Sequence, residues 1–280
     1  MEHPFRRLLL ATEHGEFDSG AEALAFALSQ RCGLPLAGVL PILSNAEFEA
    51  EAPELAARAD AGAAVHAQAL QQAARAAGVA LTLQVRRGPA LDSEIVSEAR
   101  ASGADLIIVR RRGRRGFLAR LLVGEMVGRV VALAPCSVLV APRGAAMWSR
   151  RVLVGLDPQA PAPGAVACAA RIAAACGLPL TLLAVADGPA QRAVAEAALS
   201  DQLASARALG AVAEARVQPG RPAVVLCEAA RASGADLLVL GRHGTPMRGR
   251  GALGSTVHDV IGQAGCPVLV HVQPSSQAAA

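Results

Sequence analysis

Gly241 and Gly244, with Arg242 and His243 between them, are followed after nine residues by Gly254-Ser255 at what reads as a helix start. Glycine lets a backbone approach a ligand closely, and a helix start offers amide hydrogens that have no intrahelical acceptor. Such an end attracts anions, with about 0.3 to 2 kcal/mol per charge from the dipole before hydrogen bonds are counted. Phosphate is the natural guest. Arg242, Arg248 and Arg250 add positive potential, a role lysine often fills in other phosphate loops. Taken alone, a glycine-rich loop is more often a turn with Ser255 capping the helix behind it. The literal G-x-G-x-x-G from Gly249 to Gly254 is no dinucleotide fingerprint, because it does not follow its strand directly and Asp259 comes too early to be the ribose carboxylate.

Asp157 ends an apolar run and precedes Pro158. An Asp there is commonly a turn residue, but it falls on the same sheet edge as the loop, which favours a ligand role. His243 reads equally as a solvated loop residue or a phosphate contact. His258 and Asp259 read as surface or structural residues, since no nucleophile with a supporting base accompanies them. All 27 basic residues are Arg. Without lysine the chain has no Walker lysine, Schiff base or Ser-Lys dyad. Six single Cys in apolar runs read as buried thiols of a reducing compartment, and neither they nor the six His form a metal-ligand cluster. No metal ligand set is expected.

The elements that would position these residues are written twice. Cys32-Gly-Leu-Pro-Leu36 recurs as Cys176-Gly-Leu-Pro-Leu180, Ser102-Gly-Ala-Asp105 as Ser233-Gly-Ala-Asp236, and Ala134-Pro-Cys-Ser-Val-Leu-Val140 as Ala264-Gly-Cys-Pro-Val-Leu-Val270, in the same order. The chain length suits two domains, 1–143 and 150–274, joined by a small-residue linker. The first copy carries extra residues around Asn45 to Asp60, read as an acidic, irregular insertion. In the second copy strands are expected at Val152–Leu156, Leu180–Ala186, Ala213–Val217, Leu237–Leu240 and Val268–Val272. Helices are expected at Gly164–Cys176, Pro189–Leu209, Ala223–Ser233 and Ser255–Gly265. Continuous apolar strands alternating with Ala-rich helices indicate α/β domains, each a doubly wound parallel sheet whose ligands sit at the carboxyl ends of the strands.

The complete pattern, G-x-x-G, nine residues, then G-S, placed after the fourth strand and followed by a helix and Cys266-Pro-Val-Leu-Val270, resembles the universal stress protein family. The chain looks like its tandem form, and the resemblance covers nearly all of it. It implies two Rossmann-like domains similar to adenine nucleotide alpha hydrolases, binding ATP or another adenine nucleotide. It also implies roles for Gly241, Gly244, Gly254 and Ser255 at ribose and phosphates, for Asp157 beside adenosine, assisting through a bound Mg²⁺ if one is present, and for the main chain at Val185 beside adenine. Thr256 would offer a further amide. The first copy departs from this at every such position. Glu13 stands for Asp157, Pro41 for Val185 and Arg110 for Gly241. Ten residues separate Gly113 from Gly124, and Glu125 replaces Ser255. Arg110 to Arg115 read as a solvated loop, with contact to phosphates, an acidic partner or nucleic acid as alternatives.

The leading expectation is therefore a stress-response adenine-nucleotide-binding module whose second domain carries the site and reports to a protein partner. The alternatives are a slow ATP-hydrolysing or adenylyl-transferring enzyme and a nucleotide-independent scaffold. Six aromatic residues and a net charge of +4 disfavour a nucleic-acid partner. No apolar stretch reaches membrane-helix length, so no membrane partner is expected and the expected location is the cytoplasm. The apolar strands Ser137–Val140 and Val268–Val272 are candidates for pairing the halves into an internal pseudo-dimer, which leaves room for a further homo-oligomer. Small-angle scattering is expected to fit one compact particle. A profile of two independently tumbling halves would count against that pairing.

Overall fold

The computed structural model describes residues 3–111, 119–160, 162–242 and 253–273. The chain divides into two compact units, Phe5–Met147 and the residues from Trp148 onward. The first unit runs β1 (Leu8–Ala11), α1 (Ser19–Cys32), β2 (Leu36–Leu43), α2 (Ala46–Glu51), α3 (Pro53–Ala76), β3 (Leu81–Gly88), α4 (Leu91–Ser102), β4 (Leu106–Arg110), α5 (Ala119–Leu133) and β5 (Ser137–Ala141). The second runs β6 (Val152–Leu156), α6 (Pro163–Cys176), β7 (Leu180–Val185), α7 (Gly188–Ala208), β8 (Ala213–Gln218), α8 (Pro222–Ser233), β9 (Leu237–Gly241), α9 (Ser255–Gln263) and β10 (Val268–His271).

Strand order is β3-β2-β1-β4-β5 in the first unit and β8-β7-β6-β9-β10 in the second. All of these described pairings are parallel. The composition explains the order. Leu8, Leu9 and Leu10 of β1 and Leu106, Ile107 and Ile108 of β4 are all buried, with no polar alternation, as strands covered on both faces must be. Outer strands β3 and β8 carry Thr82, Gln84, Glu214 and Arg216 and are partly exposed. Ala-rich helices cover the sheets, and no helix among the described residues is long and apolar enough to cross a membrane.

The repeated motifs are structural stops and fasteners. Helices α1, α4, α6 and α8 each end on a glycine in the left-handed region, Gly33, Gly103, Gly177 and Gly234, with φ of 62°, 63°, 65° and 67°. Asp105 accepts hydrogen bonds from the N–H groups of Arg6 (2.7 Å) and Arg7 (3.0 Å), and Asp236 from those of Ser149 (2.8 Å) and Arg151 (3.1 Å). Each Asp thereby ties the entry to its unit's first strand onto the start of the fourth. In the second unit the elements fall within a residue or two of the expected bounds.

The stretch Asn45 to Asp60 is not irregular. It forms α2 and the start of α3. Glu47, Glu49 and Glu54 lie in the first turns, where the helix dipole favours acids, and Pro53 begins α3 with no N–H to lose.

Two glycines of the first unit separate packing from propensity. A Cβ on Gly20, early in α1, would lie 2.1 Å from the Pro142 carbonyl oxygen and 2.7 Å from the Ala145 nitrogen, both backbone. A Cβ on Gly62, within α3, would meet nothing within 4 Å. Gly20→Ala is expected to cost about 1 to 3 kcal/mol by overpacking. Gly62→Ala should gain about 0.5 to 1 kcal/mol by helix propensity. Urea unfolding of the two variants checks the opposite signs.

Candidate functional site

A doubly wound sheet opens a crevice where strand order reverses, here at the carboxyl ends of β6 and β9. A cavity of about 290 Å³ lies there in the second unit. Its walls include Asp157, Val185, Gly241, Gly254, Ser255 and Thr256, so six of the eight residues singled out from the sequence meet in one place. The other two, His243 and Gly244, lie outside the described residues.

Gly254 is the N-cap of α9, at φ −58° and ψ 140°, and no side chain caps this end. Ser255 is therefore the first helical residue and not the cap expected from the sequence. The first intrahelical bond runs from the His258 N–H to the Gly254 carbonyl (3.0 Å). The amides of Ser255, Thr256 and Val257 thus have no intrahelical acceptor, and all three residues line the cavity. This is an anion-binding arrangement in both geometry and dipole. At Gly254 the glycine freedom is not spent on a positive φ.

Asp157 closes its own turn. Its Oδ1 accepts the Gln159 N–H (2.9 Å) and its carbonyl accepts the Ala160 N–H (3.3 Å). The side chain is exposed, and Oδ2 has no partner among the described residues. At Val185 the ladder decides what is free. The Ala186 N–H donates to Gln218 (3.0 Å) on the β8 side, so by strand alternation the backbone groups of Val185 face β6. The β6 ladder ends with Leu156 opposite Ala184, and Pro158 beyond it has no N–H to offer. The Val185 carbonyl lies at the open edge.

Pro222, Leu226 and Leu240 supply an apolar wall that sequence reasoning did not single out. One signal pointed to it. Gly155 interrupts the apolar strand β6, and a Cβ there would lie 2.7 Å from Leu240 Cδ2 and 2.8 Å from Leu226 Cδ2. His271, opposite Gly241 on β10, was also passed over. Burial holds its imidazole below the usual histidine value.

At the same edge of the first unit the described side chains pair with one another. Arg110 stands at the end of β4 as Gly241 does at the end of β9, but it is buried. Its Nη1 donates to Asp18 Oδ2 (3.0 Å) and its Nη2 to Glu13 Oε2 (2.5 Å). The expectation of a solvated Arg loop fails at Arg110 because two distant carboxylates hold the guanidinium inside. Arg112 to Arg115, with Gly113, lie outside the described residues. Asp18 Oδ2 also accepts the Gly15 N–H (2.8 Å). Burial pushes the Asp18 carboxyl above the usual carboxylate range, against the pull of Arg110 and Gly15. Pro41, at the Val185 position, lies within β2 opposite Arg86, and this ladder continues to Leu43 opposite Gly88.

The sequence model of the universal stress protein family matches the chain twice, over residues 4–142 and 149–272. No curated protein matches the chain's sequence. Among solved structures the chain is similar to a universal stress protein from Archaeoglobus fulgidus DSM 4304, at 19% identity and a TM-score of 0.72 over 97% of each chain. It is similar in fold to a Pseudomonas aeruginosa UCBPP-PA14 protein at 17% identity and a TM-score of 0.69, over 96% of this chain and 93% of that one. A universal stress protein solved in complex with cAMP is 32% identical over 46% of this chain and 100% of its own, with a TM-score of 0.40.

The charge cluster of the first unit can be tested directly. Arg110→Met leaves Asp18 buried without its cation and is expected to cost about 3 to 5 kcal/mol at neutral pH. In the variant the folded Asp18 pKa rises further above its unfolded value, so the penalty is full at high pH and is relieved as pH falls toward the carboxylate range. Urea midpoints of variant and parent, compared from pH 7 down to pH 4, should converge.

Proposed function

The chain belongs to the universal stress protein family, and from that premise we propose that its second unit is an adenine-nucleotide-binding module that reports nucleotide state to a protein partner. The observation that carries this reading is the uncapped start of α9 facing a cavity between the ends of β6 and β9. The fit is chemical. Three free amides suit phosphate oxygens, and Pro222, Leu226 and Leu240 suit the face of a purine. The Val185 carbonyl suits an exocyclic amine. Asp157, with Oδ1 engaged in its own turn, keeps Oδ2 for a ribose hydroxyl or a phosphate-bound Mg²⁺. A volume of about 290 Å³ stands at the lower end of the roughly 300 to 1,000 Å³ of small-molecule sites. ATP is the proposed guest. In the first unit Arg110, Glu13 and Asp18 take up the corresponding edge, which supports a single nucleotide site per chain.

Mass spectrometry of ligand released from natively purified protein should identify an adenine nucleotide, and calorimetry should give about one site per chain. Gly254→Asp separates binding from folding. An Asp at the N-cap serves α9 as well as Gly or a few tenths of a kcal/mol better, while its carboxylate competes with phosphate for the same amides. Nucleotide affinity should fall at least tenfold with an unchanged or slightly raised urea midpoint. Two equivalent sites, or affinity indifferent to Gly254→Asp, would overturn the assignment.

A further inference from the structure

We propose that the outer edge of β8 is a self-pairing surface, on which a second copy of this chain docks its own β8 antiparallel about Ala215. Strand β8 has one neighbour in the sheet, β7. The Leu180 N–H donates to the Val212 carbonyl (2.9 Å) and the Ala186 N–H to the Gln218 carbonyl (3.0 Å), so the even-numbered residues turn their backbone groups toward β7. Ala213, Ala215 and Val217 turn theirs outward. Arg207 marks that side, since its Nη2 donates to the Ala213 carbonyl from beyond the ladder (3.0 Å), and this carbonyl keeps a second lone pair. A row of outward N–H and C=O groups is a template for another strand. Neither a proline nor a break in the β7 register blunts it.

The charges on this strand select a copy of itself as the occupant. Glu214 and Arg216 stand on one face, with Arg216 Nη2 at 3.1 Å and 3.2 Å from the two carboxylate oxygens of Glu214. Arg151 Nη1 and Thr181 Oγ1 each donate to Glu214 Oε1 (3.0 Å), which fixes the acid on its rung. A two-fold axis between paired Ala215 residues sets Glu214 opposite Arg216 of the second copy, and Arg216 opposite Glu214 of the second copy. The two Ala215 residues then exchange both backbone hydrogen bonds, and the charged rungs are the intervening ones, where side chains approach most closely. A slip of two residues would set Glu214 against Glu214 or Arg216 against Arg216, and like charges on one rung destabilise a strand pair. One register is therefore preferred. The apolar surface agrees with it. Val212 is 78% exposed, and this register lays it against Gln218 of the second copy. Leu199 and Leu203 of α7, with Ala215 and Val217 of β8, wall a cleft of about 530 Å³ along the same edge. The second copy's Ala215 and Ala213 fall opposite Ala215 and Val217, and their small side chains leave room for the backbone to approach.

The test is sedimentation velocity of the full chain from low to high micromolar concentration. A reversible dimer is expected. Arg216→Glu sets acid against acid on both charged rungs and should weaken association at least about tenfold. Ala215→Pro should abolish it with an unchanged circular dichroism spectrum, because the N–H it removes points away from β7 and an edge strand tolerates proline there. An equimolar mixture of Arg216→Glu and Glu214→Arg chains should dimerise again, since each then finds opposite charges on the other. If Glu214→Arg misfolds, Arg216→Glu and Ala215→Pro decide. A parent chain that stays monomeric throughout, or a dimer indifferent to Ala215→Pro, overturns the proposal.

Discussion

A parallel sheet delivers every strand end to one edge, where loose carbonyls, helix N-termini and first-loop side chains must all be met by something. In the first unit the protein meets them with its own groups. Thr12 and Glu22 satisfy each other, Gly15 and Arg110 satisfy one oxygen of Asp18, and Glu13 closes on the same guanidinium. In the second unit the equivalent edge keeps three amides at the start of α9 and the Val185 carbonyl facing a cavity. One fold thus carries an edge where described side chains pair with one another and an edge where backbone groups face a cavity.

The residue that ends the fourth strand differs between the two edges. Arg110 and Gly241 stand on matching rungs, opposite Ala141 and His271. A guanidinium stays charged at any ordinary pH and offers a fork of donors that two carboxylates can share. Its burial depends on both acids, and the raised carboxyl of Asp18 records the desolvation that remains uncompensated. Its other oxygen, Oδ1, finds no partner among the described residues. A single exchange between the two edges would not convert one into the other. Arg at position 241 would arrive beside Asp157, whose Oδ1 is already engaged, and glycine at position 110 would strand Asp18. The two solutions are separated by several coupled changes.

Local signals in the sequence were readable where neighbours in the chain supply the cause. Apolar runs and Ala-rich helices fix the second-unit elements to within a residue or two, and the loop glycines led to the cavity. Even so, the repeated Ser-Gly-Ala-Asp served only as a mark of duplication, since what Asp105 and Asp236 fasten lies far away in sequence. Distance explains the misreadings as well. Arg110 belongs by sequence to an arginine run, but its partners Asp18 and Glu13 lie 92 and 97 residues away. The helices α2 and α3 were hidden because their faces are mostly exposed, with only Ala63, Leu70 and Ala74 of α3 buried, so there was little apolar periodicity to detect. The cavity wall of Leu226 and Leu240 is a meeting of two elements, and Gly155 was its only local trace.

The open edge also bears on how a bound ligand could be reported. Helix α9 has nine residues, too few to be stable alone, and it is held by burial of Val257, Val260 and Ile261 while its first turn lacks a side-chain cap. At the open edge water is the available partner of the loose amides. An anion seated there would give the first turn the partners it lacks and reward the ordered form over the frayed one, shifting a pre-existing equilibrium by its differential affinity.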